Sequence, residues 1–169
     1  DSVSFTNDYS GFKRADIVFD TIQDESDEKQ KSLSELESVI SGQCLIASSV
    51  RAVQLTTLCK RLKRLDNVVG FNLSMPIREN PLTEIVITEY TSEATIAKAL
   101  DFFKNLGKLP IVVKDHVGFF TNRVLFAYMN EATRLLSEVG SLEEIDNAAI
   151  ELGFREGPFE FMDKIGIDD

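Results

Sequence analysis

Between Val68 and Val124 the chain carries a carboxylate, Glu84, an amide, Asn72, and a Gly118-Phe119 turn followed by a second amide, Asn122. A carboxylate beside a titratable partner is acid–base machinery: it fixes the partner's tautomer while the partner moves a proton at a pKa near working pH. Asn72 is no such partner, because a neutral amide accepts no proton at any accessible pH. His116 is the only histidine, but it sits on the turn before Gly118, where a surface or linker histidine is the simpler reading. Glu84 and Asn122 also have plain readings, as the carboxylate ending a strand and as the N-cap of a helix beginning at Arg123. Phe102, Phe103, Phe119 and Phe120 read as core.

Other chemistry is thin. Cys44 and Cys59 lack metal-ligand spacing and there is no CxxC, so no metal site is expected and a reducing compartment fits. The basic run CKRLKRLD, Cys59 to Asp66, reads as the solvated face and last turn of a helix. A net charge of -10 argues against a nucleic-acid partner. No apolar run approaches the roughly 18 residues that span a bilayer, and the N-terminus lacks a secretory signal.

The elements that must position these residues are legible from periodicity. In 169 residues, 43% hydrophobic and 27% charged, there is room for one domain, or one and a small appendage, with a real core. Strands are expected at Arg14 to Ile22, Cys44 to Val50, NVVGFNL, TEIVITEY and LPIVVKD. Between them fall helices: SDEKQKSLSELESVI, with Leu33, Leu36, Val39 and Ile40 as its stripe and Gly42 past its end; QLTTLCKRLKRL, with Leu55, Leu58, Leu62 and Leu65 on one face; and TSEATIAKALDFFKNLGK, capped by Thr91 or Ser92 and ended by Gly107. After Asp115 the pattern is helical throughout, with a capping-box start at Ser141 and Glu144. The fold class is therefore α/β, a partial Rossmann-like sheet with helices, followed by an all-α segment, with the boundary set at 1–114 and 115–169. No glycine-rich strand-to-helix turn of a dinucleotide fold is present, so the first βαβ unit of such a fold is expected outside the chain.

The runs ADIVFDTIQDESDEKQK, GFN...MP....PLTEIV, GKLPIVVKDHVGFFTNRVL, IDNAAIELGF and GPFEFMDKIGID together resemble the 3-hydroxyacyl-CoA dehydrogenase family over almost the whole chain. The resemblance implies an NAD-binding domain followed by a helical domain, acyl-CoA as substrate, and hydride transfer from an L-3-hydroxyacyl-CoA to NAD with a histidine as base. Carried over by position, the carboxylate that orients the base falls on Glu84 and a substrate-side asparagine on Asn122. The histidine falls on Asn72 and a serine on Arg51. Asp20, Asp24 and Lys29 fall on cofactor-contacting positions.

Two of those positions have changed chemistry. Asn72 removes the base, and Arg51 puts a fixed charge and several donors where a small hydroxyl belongs. Arg51 has three readings: a solvent-facing loop residue, a partner of Glu84, or an anion binder such as for a CoA phosphate. The expectation is a degenerate, inactive dehydrogenase-like protein serving as a structural or assembly subunit, mitochondrial by resemblance, with the peroxisome or cytoplasm as alternatives. The competing expectation is a fragment of an NAD-dependent L-3-hydroxyacyl-CoA dehydrogenase of β-oxidation. No cofactor is expected in this chain alone, and NAD if the missing nucleotide loop is supplied. Partners would be other subunits or a missing segment of the same protein, with acyl-CoA as a further candidate.

Overall fold

A computed structural model describes residues 3–22, 26–51 and 53–166. The chain divides into two compact units, Asp1–Phe119 and Phe120–Asp169. The first holds strands β1 (Ile17–Asp20), β2 (Leu45–Ser49), β3 (Val68–Leu73), β4 (Leu82–Ile87) and β5 (Leu109–Lys114), with helices α1 (Ser26–Val39), α2 (Leu55–Leu58) and α3 (Glu93–Asn105). The sheet runs in sequence order, β1-β2-β3-β4-β5. The β1–β2, β2–β3 and β4–β5 pairs are parallel and β3–β4 is antiparallel. The α/β layer followed by helices is thus present.

Both faces of the sheet are covered, which is why its strands read as near-continuous apolar runs. One face packs Leu33, Leu36 and Ile40 with Leu55, Leu58, Leu62 and Phe119; the other packs Phe71 and Ile85 against Ala99 and Phe103 of α3. Gly70 is required at the first face, since a Cβ there would lie 2.9 Å from Val50 and 3.0 Å from Val86. Val39, expected in the α1 stripe, is 37% exposed, and Phe120, expected in the core, is 54% exposed. Ser92, rather than Thr91, caps α3 by accepting from the Thr95 N–H at 3.2 Å, and Gly107 ends it at φ 76°. Gly42 is not among the left-handed glycines.

One expected helix is mostly absent. QLTTLCKRLKRL forms only the four residues of α2, although Leu55, Leu58 and Leu62 are buried as its pattern predicts. Glu37 of α1 explains the truncation. Its carboxylate accepts from the backbone N–H groups of Lys63, at 3.0 Å, and Arg64, at 2.7 Å. A continued helix would give those N–H groups to carbonyls four residues back. The like charges of Lys60, Arg61, Lys63 and Arg64 at helical spacing also disfavour continuation. The N-terminus of α2 is fixed by Asp115, whose carboxylate accepts from the N–H groups of Leu55 and Thr56, both at 2.8 Å, and from the Thr56 hydroxyl.

The second unit is helical: α4 (Thr121–Val139), α5 (Leu142–Glu151) and α6 (Pro158–Ile165). Ser141 caps α5 by accepting from Glu144 N–H at 3.2 Å. Asp146 accepts from the N–H groups of Phe159 and Glu160, at 2.9 and 3.2 Å, and so binds α5 to the start of α6. Gly157 has to be glycine for that contact, because a Cβ would lie 2.2 Å from the Asp146 carboxyl carbon. No helix among the described residues is long and apolar enough to cross a membrane.

Candidate functional site

The carboxyl ends of β1, β2 and β3 lie side by side, and Asp20, Arg51 and Asn72, three of the residues singled out from sequence, lie at or just past them. In an open α/β sheet this is the edge at which ligands bind. Asn72 of β3 stands directly opposite Glu84 of β4 in the antiparallel register. Its Nδ2 donates to Glu84 Oε2 at 2.8 Å. Glu84 has no exposed surface. A buried carboxylate needs donors, and the Asn72 amide supplies one. The bond also fixes which way the amide points, with its Nδ2 as the donor toward Glu84.

Arg51 follows β2. Ser49 pairs with Phe71, and Val50 N–H donates to the Phe71 carbonyl at 3.0 Å, so the strand pairing ends just before Arg51 and beside Asn72. Arg51 itself is exposed.

Asp20 and Lys29 are internal. Lys29 is 0% and Asp20 7% exposed, and their charged atoms are 3.4 Å apart. The Lys29 ammonium also donates to the carbonyls of Ile22, at 2.8 Å, and Ser49. Asp20 accepts from the Ser48 hydroxyl at 2.7 Å and from Ile22 N–H at 3.1 Å. This network ties the ends of β1 and β2 to α1, and Ser48 is the member that sequence reasoning missed. Its only signal was a small polar residue inside the apolar run LIASS. Asp24 lies outside the described residues. Asp20 and Lys29 thus both turn inward.

Asn122 belongs to the second unit. It lies inside the first turn of α4, which begins at Thr121 with Phe120 as its N-cap. Asn122 is therefore not the cap, because Phe120 already has helical backbone angles and the helix starts before Arg123. His116 is exposed and lines a hollow of about 510 Å³ with Thr56, Thr88, Tyr90, Lys114 and Asp115, a set that includes neither Asn72 nor Glu84. Burial pushes the Cys59 thiol up to about 12 and raises Cys44 as well, and both cysteines are free.

Comparison with known proteins agrees with this architecture. Residues 1–116 match the family model described as 3-hydroxyacyl-CoA dehydrogenase, NAD binding domain. Residues 118–169 match the C-terminal domain of the same family. The fatty acid oxidation complex subunit alpha of Idiomarina loihiensis is 38% identical over 161 residues, 95% of this chain and 23% of that protein. The Shewanella halifaxensis protein of the same name is 37% identical over 163 residues, 96% and 23% of the two chains. The chain thus spans about a quarter of the length of these curated relatives. Among solved structures, (S)-3-hydroxybutyryl-CoA dehydrogenase PaaH1 from Ralstonia eutropha superposes with a TM-score of 0.89 at 32% identity, covering 96% of this chain and 58% of that one. 3-Hydroxybutyryl-CoA dehydrogenase from Escherichia coli gives 0.88 at 27% identity, covering 96% and 35%.

Proposed function

The chain belongs to the 3-hydroxyacyl-CoA dehydrogenase family, and on that premise we propose that it is a non-catalytic member, which keeps the frame of the site without its base and serves as a structural or assembly subunit. One observation carries this reading: Asn72, which the resemblance sets at the position of the family's histidine, spends its amide N–H on buried Glu84. The pair that would orient a base is here a closed cross-strand contact. A positioned general base contributes about 10²–10⁴-fold, and an amide contributes none of it.

The assembly role is supported by the names of the curated relatives, which are subunits of a fatty acid oxidation complex. A mitochondrial location goes with it on the strength of the resemblance to β-oxidation enzymes, and cell fractionation tests it. The second reading, part of an NAD-dependent L-3-hydroxyacyl-CoA dehydrogenase, is favoured by the 23% share of the relatives that this chain spans. One assay separates the two: the full-length protein with 3-hydroxybutyryl-CoA and NAD, followed by NADH formation. No oxidation above background is expected. Turnover within about tenfold of an ordinary dehydrogenase of the family would overturn the non-catalytic reading, because loss of the base alone costs more than that.

A further inference from the structure

The hollow of about 510 Å³ that His116 lines stands at the carboxyl ends of β4 and β5. Those strands run opposite to β3, so it lies toward the other end of the sheet from Asn72. Its size falls within the roughly 300–1,000 Å³ of small-molecule pockets. Two segments wall it. The turn after β4 brings Glu89 and the Tyr90 ring beside Ile87, and the end of β5 brings Lys114 and Asp115. Both walls are pinned. The Thr91 hydroxyl accepts from Thr88 N–H at 3.1 Å and donates to the Val68 carbonyl at 3.0 Å, while Tyr90 N–H donates to the Thr88 hydroxyl at 3.2 Å. Asp115 N–H donates to the Ile87 carbonyl at 3.1 Å, and its carboxylate is occupied by the N–H groups of Leu55 and Thr56.

With Asp115 engaged, the hollow keeps one fixed charge of each sign. Lys114 and Glu89 are both exposed, and neither forms an ion pair with another described residue. Glu89 accepts from the neighbouring Tyr90 hydroxyl, the bond that does most to raise that phenol's pKa, but one neutral donor leaves the carboxylate its charge. His116 adds a ring that can donate or accept. No cluster of His, Cys, Asp and Glu suited to a metal occurs among the described residues, so these acids and His116 are not a cation-ligand set. Opposite charges that share a hollow without meeting leave room between them for a molecule that carries both. We propose that this hollow binds a zwitterion of the α-amino acid class with an apolar side chain. Lys114 takes the carboxylate and Glu89 the ammonium, each through charge-assisted hydrogen bonds, while Ile87 and the Tyr90 ring cover the apolar body. A ligand with one charge fits worse, because an acid then faces Glu89 and an amine faces Lys114. Pinned walls lower the ordering cost of binding.

Titration calorimetry of the full-length protein with L-leucine tests this. Isocaproate and isoamylamine serve as companion probes, each keeping the apolar body and one of the two charges. Saturable binding of leucine is expected, with each single-charge probe at least about tenfold weaker. Lys114→Ala should weaken leucine by about tenfold and leave isoamylamine no weaker, whereas Glu89→Gln should weaken leucine by a similar factor and leave isocaproate no weaker. Both side chains are exposed, so neither change threatens folding, and a remote Lys60→Ala control should bind like the parent. No saturable binding of leucine up to about 10 mM, a single-charge probe as tight as leucine, or either variant within about twofold of the parent would overturn the assignment. Turnover of a hydroxyacyl-CoA bears only on the non-catalytic reading, on which this site does not depend.

Discussion

At the scale of single residues, the Asn72–Glu84 pair sets what the site can do and what its loss would cost. Asn72→Ala should destabilise the protein by about 1–3 kcal/mol, the usual penalty for leaving a buried charged group short of a donor. An unchanged denaturation midpoint would show that the bond contributes nothing. On the non-catalytic reading, Asn72→His should not by itself produce NAD-linked oxidation, because Arg51 still stands where the resemblance puts a small hydroxyl. A strong gain from that one change would show that only the base was missing. Thr83 makes an independent case. It has no exposed surface and its hydroxyl has no hydrogen-bond partner among the described residues, while on β5 it faces Pro110, which has no N–H to offer. Thr83→Val should therefore raise stability by about 1 kcal/mol, read as a higher midpoint, since the unpaired group is removed and the shape kept. For Cys59, folding holds the thiol neutral to about 12 against an ordinary 9.0. A raised folded-state value means stability is fully present below about 9.0 and drains away as pH climbs toward 12, where the unfolded thiol ionises and the folded one does not. A Cys59→Ala variant should lose part of that alkaline slope in a pH series of melts.

At the scale of elements, what sequence could and could not reveal follows from how local the cause was. Helix α3 was legible to its terminator and to within one residue of its cap because Ser92 acts on Thr95 and Gly107 on the last turn, each within a few residues. The five strands were legible because each is an apolar run bounded by turn residues. The truncation of α2 was not, since its cause is Glu37, 26 and 27 residues away from the N–H groups it takes. Asp115 acts on α2 from 59 and 60 residues downstream, and no periodicity announces such a contact. At the site, the types at Asn72, Glu84 and Arg51 were readable through family resemblance, while the inward turn of Asp20 and Lys29 needed three dimensions. Glu37→Ala removes the acceptor of both N–H groups and the carboxylate that lies 3.8 Å from Arg64, while the guanidinium keeps its 2.8 Å bond to the backbone carbonyl of residue 37. Amides 63 and 64 should then lose hydrogen-exchange protection, while the ends of α3 keep theirs. Retained protection at 63 and 64 would mean that burial of Leu62, and not the carboxylate, holds the turn.

For the whole molecule, the surfaces left open decide how the chain behaves. Strand β1 pairs only with β2, so its other edge has no neighbour among the described residues, and Phe19 and Ile22 there are 37% and 38% exposed. β5, at the opposite edge, is blunted by Pro110 and by Lys108 and Lys114 at its ends, features that discourage strand pairing. β1 has no such protection. In the helical unit, Val124, Phe126 and Leu135 of α4 are 55%, 57% and 39% exposed, and Leu152 and Phe154 after α5 are 81% and 51% exposed. Open sheet edges and clustered apolar side chains are normally covered by another part of the chain or by a partner, and the curated relatives are several times longer than the stretch they share with it. The 169-residue chain expressed alone should therefore bind a hydrophobic dye and self-associate, with the full-length protein or its complex suppressing both. Charge works against this, since a net of -10 repels like copies, so association should strengthen as salt screens that repulsion. A dye-silent monomer in sedimentation at every salt concentration would show that both units close on themselves and that neither surface awaits a partner.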